Sequence, residues 1–116
     1  MIKGKVVLVP FPFDDLTASK VRPAVCLTEP IGLHRHIVLA FISSQIPLHP
    51  TRTDLVLDAN RGDFAATGLR VASVLHLHRL VTLTPDLIQR ELGALSPAWR
   101  AETDKKLALL FGLKPA

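Results

Sequence analysis

The sequence predicts a mostly β domain that ends in a helix, an α+β chain in which about five short, twisted strands form a small closed barrel capped by α-structure. Three observations carry that expectation. Short apolar and β-branched runs fill the first three-quarters of the chain, each cut off by prolines, glycines or polar clusters. The remainder changes to helical spacing, with a Ser96-Pro97 start and a Gly112 stop. The length of 116 residues leaves room for one hydrophobic core, so residues 1–116 read as a single domain.

Lys5 to Val9 is a β-branched run, ended by Pro10-Phe11-Pro12-Phe13, whose prolines remove ladder donors. Asp14 to Val21 is polar and small and reads as an exposed loop. Arg22-Pro23 leads into Ala24-Val25-Cys26-Leu27, a continuous apolar run suited to a buried strand. A turn cluster at Glu29-Pro30-Ile31-Gly32 precedes a strong strand, His36 to Ile42, which stops at Ser43-Ser44-Gln45. Pro47 and Pro50 bracket a second irregular loop, Asp54 to Leu57 is a brief strand, and Asp58 to Gly68 has turn chemistry. Val71 to Leu77 is a further strand, continued at Leu80 to Leu83. Thr84-Pro85 and Ser96-Pro97 each combine an N-cap residue with a proline at the first helical position. They predict helices from Pro85 to Leu92, ended by Gly93, and from Pro97 to Phe111, ended by Gly112. In the second helix Trp99, Leu107, Leu110 and Phe111 recur at helical spacing and are expected to form one buried stripe.

Lys plus Arg outnumber Asp plus Glu by 14 to 10, so the domain is mildly basic and suited to polyanionic partners. Tyr is absent and aromatic residues make up only 5% of the chain, which argues against a stacking platform for single-stranded RNA. The lone Cys26, inside an apolar run, excludes a disulfide framework and a thiolate metal cluster and reads as a core residue. No apolar run approaches the roughly 20 residues that span a bilayer, and the start lacks signal-peptide architecture, so a reducing, cytoplasmic setting is expected.

The remaining candidates for chemistry are polar residues at strand ends. Arg22 lies between a polar loop and a buried strand; its guanidinium suits bidentate contact with a phosphate, or an ion pair with Asp14 or Asp15. Ser43-Ser44-Gln45 gathers hydrogen-bonding groups at a sheet edge, or simply makes a turn. His76 and His78 are two apart, so on a strand they share a face. They suit acid–base work near neutrality, a structural role, or weakly a metal, for which the sequence offers no adjacent third ligand. His34, His36 and His49 read as loop or strand-end residues.

Gly4-Lys5-Val6-Val7-Leu8-Val9-Pro10-Phe11-Pro12-Phe13, Lys20-Val21-Arg22-Pro23-Ala24-Val25-Cys26-Leu27 and Ile42-Ser43-Ser44-Gln45 together resemble successive signatures of MazF/PemK-type toxins. Leu80-Val81-Thr82-Leu83 and a helix ending Leu109-Leu110-Phe111-Gly112-Leu113 are similar to the family's ending, so the resemblance covers nearly the whole chain. It implies an SH3-like barrel of the MazF/CcdB kind with a C-terminal helix, acting as a homodimer. It further implies a metal-independent, cofactor-free endoribonuclease that cuts single-stranded RNA at short sequences through the 2′-hydroxyl and is held in check by a cognate antitoxin.

Carried over, Arg22 matches the family's loop arginine acting on the scissile phosphate, Ser43 the hydroxyl at the end of the central strand, and Gln45 an RNA-contacting or structural amide. Lys20 and Arg52 fall in loops expected to face RNA. The chain departs from the family in lacking an acidic residue between Leu16 and Val21, and in carrying His76 and His78 where some members place an Arg and an Asp. The expected mechanism therefore gives Arg22 the phosphorane charge, His78 or His76 the proton transfer and Ser43 the positioning of phosphate. Two other readings are a CcdB-type gyrase poison, which needs no catalytic residues, and a catalytically inactive RNA-binding barrel.

Overall fold

The computed structural model describes residues 1–11 and 20–114. Its strands are β1 (Lys5–Phe11), β2 (Lys20–Cys26), β3 (Ile37–Ser43), β4 (Asp54–Leu57), β5 (Ser73–Leu83) and β6 (Arg90–Ala94), followed by the helix α1 (Pro97–Leu110). They form one antiparallel sheet in the order β4-β5-β3-β2-β1-β6. The mostly β architecture with a C-terminal helix is the expected one. The sheet curls as a half-barrel, with β4 and β6 as its edges rather than a closed ladder.

Both faces of the sheet are covered, which is why the strands read as continuous apolar runs rather than alternating ones. Val6, Val25, Ala40, Ile42, Leu75 and Leu77 pack on one side with Trp99 of α1. Their strand neighbours Val7, Val9, Ala24, Leu39 and Phe41 pack on the other, with Cys26 fully buried among them. Burial pushes the Cys26 thiol up to about 11, as befits an inert core residue.

The expected helix from Pro85 to Leu92 is not formed. Thr84 makes no side-chain cap, and Pro85–Leu87 is one 3-10 turn. The chain then enters β6, where pairing of Arg90 with Leu8 and of Ala94 with Lys5 satisfies the far edge of β1. Long-range pairing thus wins over a local proline start. Gly93, expected to end that helix, is an approach site instead: a Cβ there would lie 2.1 Å from the carbonyl oxygen of Ala66.

The second helix forms as expected. Ser96 Oγ accepts from the Trp99 N–H (3.1 Å). Gly112, at φ +67°, closes the other end with Leu113 N–H donating to the Ala108 carbonyl. The buried stripe is shorter than predicted. Trp99 and Thr103 are buried and Leu107 packs on the core, but Phe111, the residue that caps the helix, is 59% exposed. Among the described residues no helix is long and apolar enough to cross a membrane.

Candidate nucleic-acid cleft and an adjoining histidine cluster

A cleft of about 590 Å³ opens where β2 begins and β3 ends. Ala24 pairs with Phe41, so Arg22 and Ser43 stand at the same level two residues beyond, at one end of the ladder. Both line the cleft, with Ser44 and Gln45 beside them. Ser43 Oγ accepts from the Gln45 N–H (3.1 Å), a turn that leaves the hydroxyl proton available to a ligand.

The opposite wall is built by Gly68 to Val71 and by β6. The 3-10 turn Ala65–Thr67 sits against β6 so closely that a Cβ on Gly68 (φ +74°) would meet the Leu92 carbonyl oxygen at 2.1 Å. Thr67 locks this turn, donating to the Phe64 carbonyl and accepting from the Leu69 N–H. The β1–β6 register also slips at Leu92, which directs that side chain and Arg90 toward the cleft. Arg70 therefore projects from one side of this contact and Arg90 from the other.

Arg79 completes the set. β5 pairs with β3 as Phe41 with His76 and Ala40 with Leu80, leaving Leu77, His78 and Arg79 as three extra residues in a bulge. From there the Arg79 guanidinium lies 4.8 Å from the centre of the Phe41 ring and lines the cleft. The cleft thus carries Arg22, Arg70, Arg79 and Arg90, and no carboxylate among its described lining residues.

The Phe41 ring also meets a second polar group. The His76 ring stacks parallel to Phe41 at 6.4 Å, and its Nδ1 is 2.8 Å from Asp54 Oδ1. His78 Nδ1 approaches the same oxygen at 4.0 Å. Asp54 is the direct cross-strand partner of His76 and only 2% of its side chain is exposed. Burial alone raises the Asp54 carboxyl, but hydrogen bonds from the Thr51 N–H and from His76 outweigh it and hold the group below the usual carboxylate range.

Of the residues expected from sequence, Arg22, Ser43 and Gln45 meet in the cleft. His76 and His78 do share a face, but they meet Asp54 and are absent from the cleft lining. Arg52 is exposed in the loop before β4, its carbonyl accepting from Lys106 Nζ, and does not line the cleft. The Lys20 side chain, Asp14 and Asp15 lie outside what the structure describes. Sequence reading missed Arg70, Arg79, Arg90 and Asp54, because each joins its group through register or a loop contact. The one available signal was the position of Arg79 directly after His78.

The sequence pattern of a family described as "PemK-like, MazF-like toxin of type II toxin-antitoxin system" matches residues 2–111. A search of curated proteins finds no match. Among solved structures, the fold is similar to the Mycobacterium tuberculosis toxin MazF-mt6, with a TM-score of 0.74 and 18% identity over 96% of this chain and 99% of that one. It is also similar to an endoribonuclease in complex with its cognate antitoxin from a mycobacterial species (0.71, 17% identity, 100% and 99% covered). A third likeness is to MazE-MazF from Deinococcus radiodurans (0.67, 18% identity, 98% and 97% covered). With a family pattern spanning the chain from β1 to the end of α1, and a half-barrel shared with these toxins, the protein belongs to the PemK-like, MazF-like toxin family of type II toxin–antitoxin systems.

Proposed function

We propose that this toxin is a metal-independent endoribonuclease that cuts single-stranded RNA at specific sequences. The observation that carries this reading is the placement of Arg22 and Ser43 at one level of a cleft holding three further arginines. The substrate's 2′-hydroxyl oxygen attacks the adjacent phosphorus, the bond to the 5′-oxygen breaks, and the proton lost from the one oxygen is balanced by a proton gained at the other. The products are a 2′,3′-cyclic phosphate and a 5′-hydroxyl.

Arg22 suits the charge that develops on the equatorial oxygens, with Ser43 donating to one of them. Arg70, Arg79 and Arg90 are spread along the walls, where they suit flanking phosphates, and Gln45 suits a base or sugar edge. Positive charge that a divalent cation would otherwise supply comes from guanidinium groups. His76 and His78 are left out of the cleavage step because they meet Asp54 and do not line the cleft.

Chelator-treated protein is expected to cut a pool of single-stranded RNA and leave cyclic-phosphate ends, whereas Arg22→Ala leaves the pool intact. If wild type also leaves it intact, the enzymatic reading fails; retention of RNA without cutting would indicate a binding barrel. A gyrase poison of this kind would be favoured by a Trp-bearing helix tip; Trp99, near the helix start and only 1% exposed, is the core residue expected from sequence.

The proposed partners are RNA, a cognate antitoxin and a second copy of the chain. Antitoxin complexes of the mycobacterial endoribonuclease and of MazE-MazF support the second. Leu109, Phe111 and Leu113, at 44%, 59% and 63% exposure, form an apolar tip suited to burial against a protein surface.

A further inference from the structure

We propose that Asp54, His76 and His78 form a binding site for a borderline divalent transition metal, with Zn²⁺ as the reference ion. One ligand atom from each residue falls within 4.8 Å of the other two, among the described residues the one such trio of possible ligands. Tetrahedral Zn²⁺ with bonds of 2.0–2.1 Å holds its ligand atoms about 3.3 Å apart. The observed separations of 2.8 Å and 4.0 Å from Asp54 Oδ1 to the two Nδ1 atoms straddle that value, so rotamer adjustments suffice to close the site.

A simple His–Asp hydrogen bond needs one imidazole. Here a second Nδ1 points at the same oxygen from beyond hydrogen-bonding range, an arrangement that a shared cation explains. The supporting shell is in place. Thr51 N–H holds Asp54 Oδ2 at 2.8 Å, leaving Oδ1 as a single ligand aimed at the histidines. The Phe41 ring fixes the plane of His76. His78 is 47% exposed, which gives the ion an entry path and leaves its remaining position to water. Two imidazoles and one carboxylate favour Zn²⁺, Co²⁺ or Ni²⁺ over Mg²⁺ or Ca²⁺, which prefer all-oxygen shells.

The site spans β4 and the bulge of β5, so an ion there would tie the bulge, and with it Arg79, to the sheet edge. It is separate from the cleavage reading, since binding is measured without RNA.

The test is titration of untagged, chelator-treated full chain with Zn²⁺ at neutral pH against a chromophoric chelator. One Zn²⁺ per chain is expected. His78→Ala, at an exposed position, and the near-isosteric Asp54→Asn should each weaken binding by more than the roughly 10- to 100-fold typical of losing an outer-shell partner. His36→Ala, in an exposed His34–His36 pair with ring centres 5.8 Å apart, should leave the stoichiometry unchanged. Co²⁺ should give wild type the visible absorption of a four- or five-coordinate ion, absent in His78→Ala, with unchanged far-UV circular dichroism. The proposal is overturned if wild type takes up no more Zn²⁺ than His78→Ala, if uptake follows His36, or if Co²⁺ stays octahedral.

Discussion

Two polar groups that both meet the Phe41 ring are of opposite construction. In one, four arginines converge on an open cleft from β2, β5, β6 and the loop before β5. In the other, one buried carboxylate is shared by two imidazoles across adjacent strands. The cleft gathers four guanidinium groups and no carboxylate among its described lining residues, a composition suited to a polyanion. The cluster is compact and small, one carboxylate facing two imidazoles, and a single cation would complete the site proposed for it. A residue type alone therefore says little: Arg79 and His78 are sequence neighbours, yet they serve different groups.

The largest expected effect separates the two groups outright. Arg22→Ala should lower the RNA cleavage rate by about 10²- to 10³-fold, the usual loss when one transition-state donor is removed, whereas His78→Ala should lose metal uptake. A loss of cleavage as large in His78→Ala would move the imidazole into the reaction and erase the distinction. Next comes Gly93→Ala, which drives a methyl group into the backbone of Ala66 and Thr67, the turn that leads into the Gly68–Val71 cleft wall. Destabilisation of about 2 kcal/mol or more is expected by denaturant unfolding. An unchanged midpoint would show that the wall yields.

Smaller effects grade the cleft itself. Arg70→Ala and Arg90→Ala should each weaken RNA binding across sequences and reduce the magnitude of its log–log salt slope by about 0.7, the value for one phosphate on a single strand. A sequence-selective loss with an unchanged slope would assign that arginine to a base.

The smallest effect is on pH. The hydrogen bond from Ser96 Oγ (2.6 Å), with the Arg61 guanidinium, holds the Asp63 carboxyl below its ordinary value against the opposing effect of desolvation. Because the folded value is the lower one, the stabilisation is present above the unfolded carboxylate range and is lost as pH falls through the folded value. The melting temperature of Asp63→Asn should therefore converge on wild type in acid and fall below it near neutrality. Since α1 packs on β4 and β5, this loosening should reach the cluster before the cleft. A constant difference across pH would detach Asp63 from the titration.

Much of this was legible in one dimension. Continuous apolar runs such as Ala24 to Leu27 announced strands covered on both faces, and Ser96-Pro97 with Gly112 marked the helix, because period and capping are local properties. Arg22 and Ser43 were legible as strand-end residues for the same reason. Pro85 to Leu92 misled because its start signal is equally local, while its fate depended on an unpaired edge of β1 more than 70 positions away in the chain. The grouping of side chains was beyond local reading altogether. Asp54 and His76 are 22 residues apart, and three extra residues in β5 decide which way His78 and Arg79 face. A shift of one residue in register reverses every side chain on a strand, so convergence is set by pairing and not by spacing. The sequence by itself determined the mostly β class, the C-terminal helix and the apolar runs that build the core, but not the fate of Pro85 to Leu92. Only the tertiary structure decided which arginines share a cleft and that the two histidines belong with a carboxylate, because both depend on register between strands that local pattern does not encode.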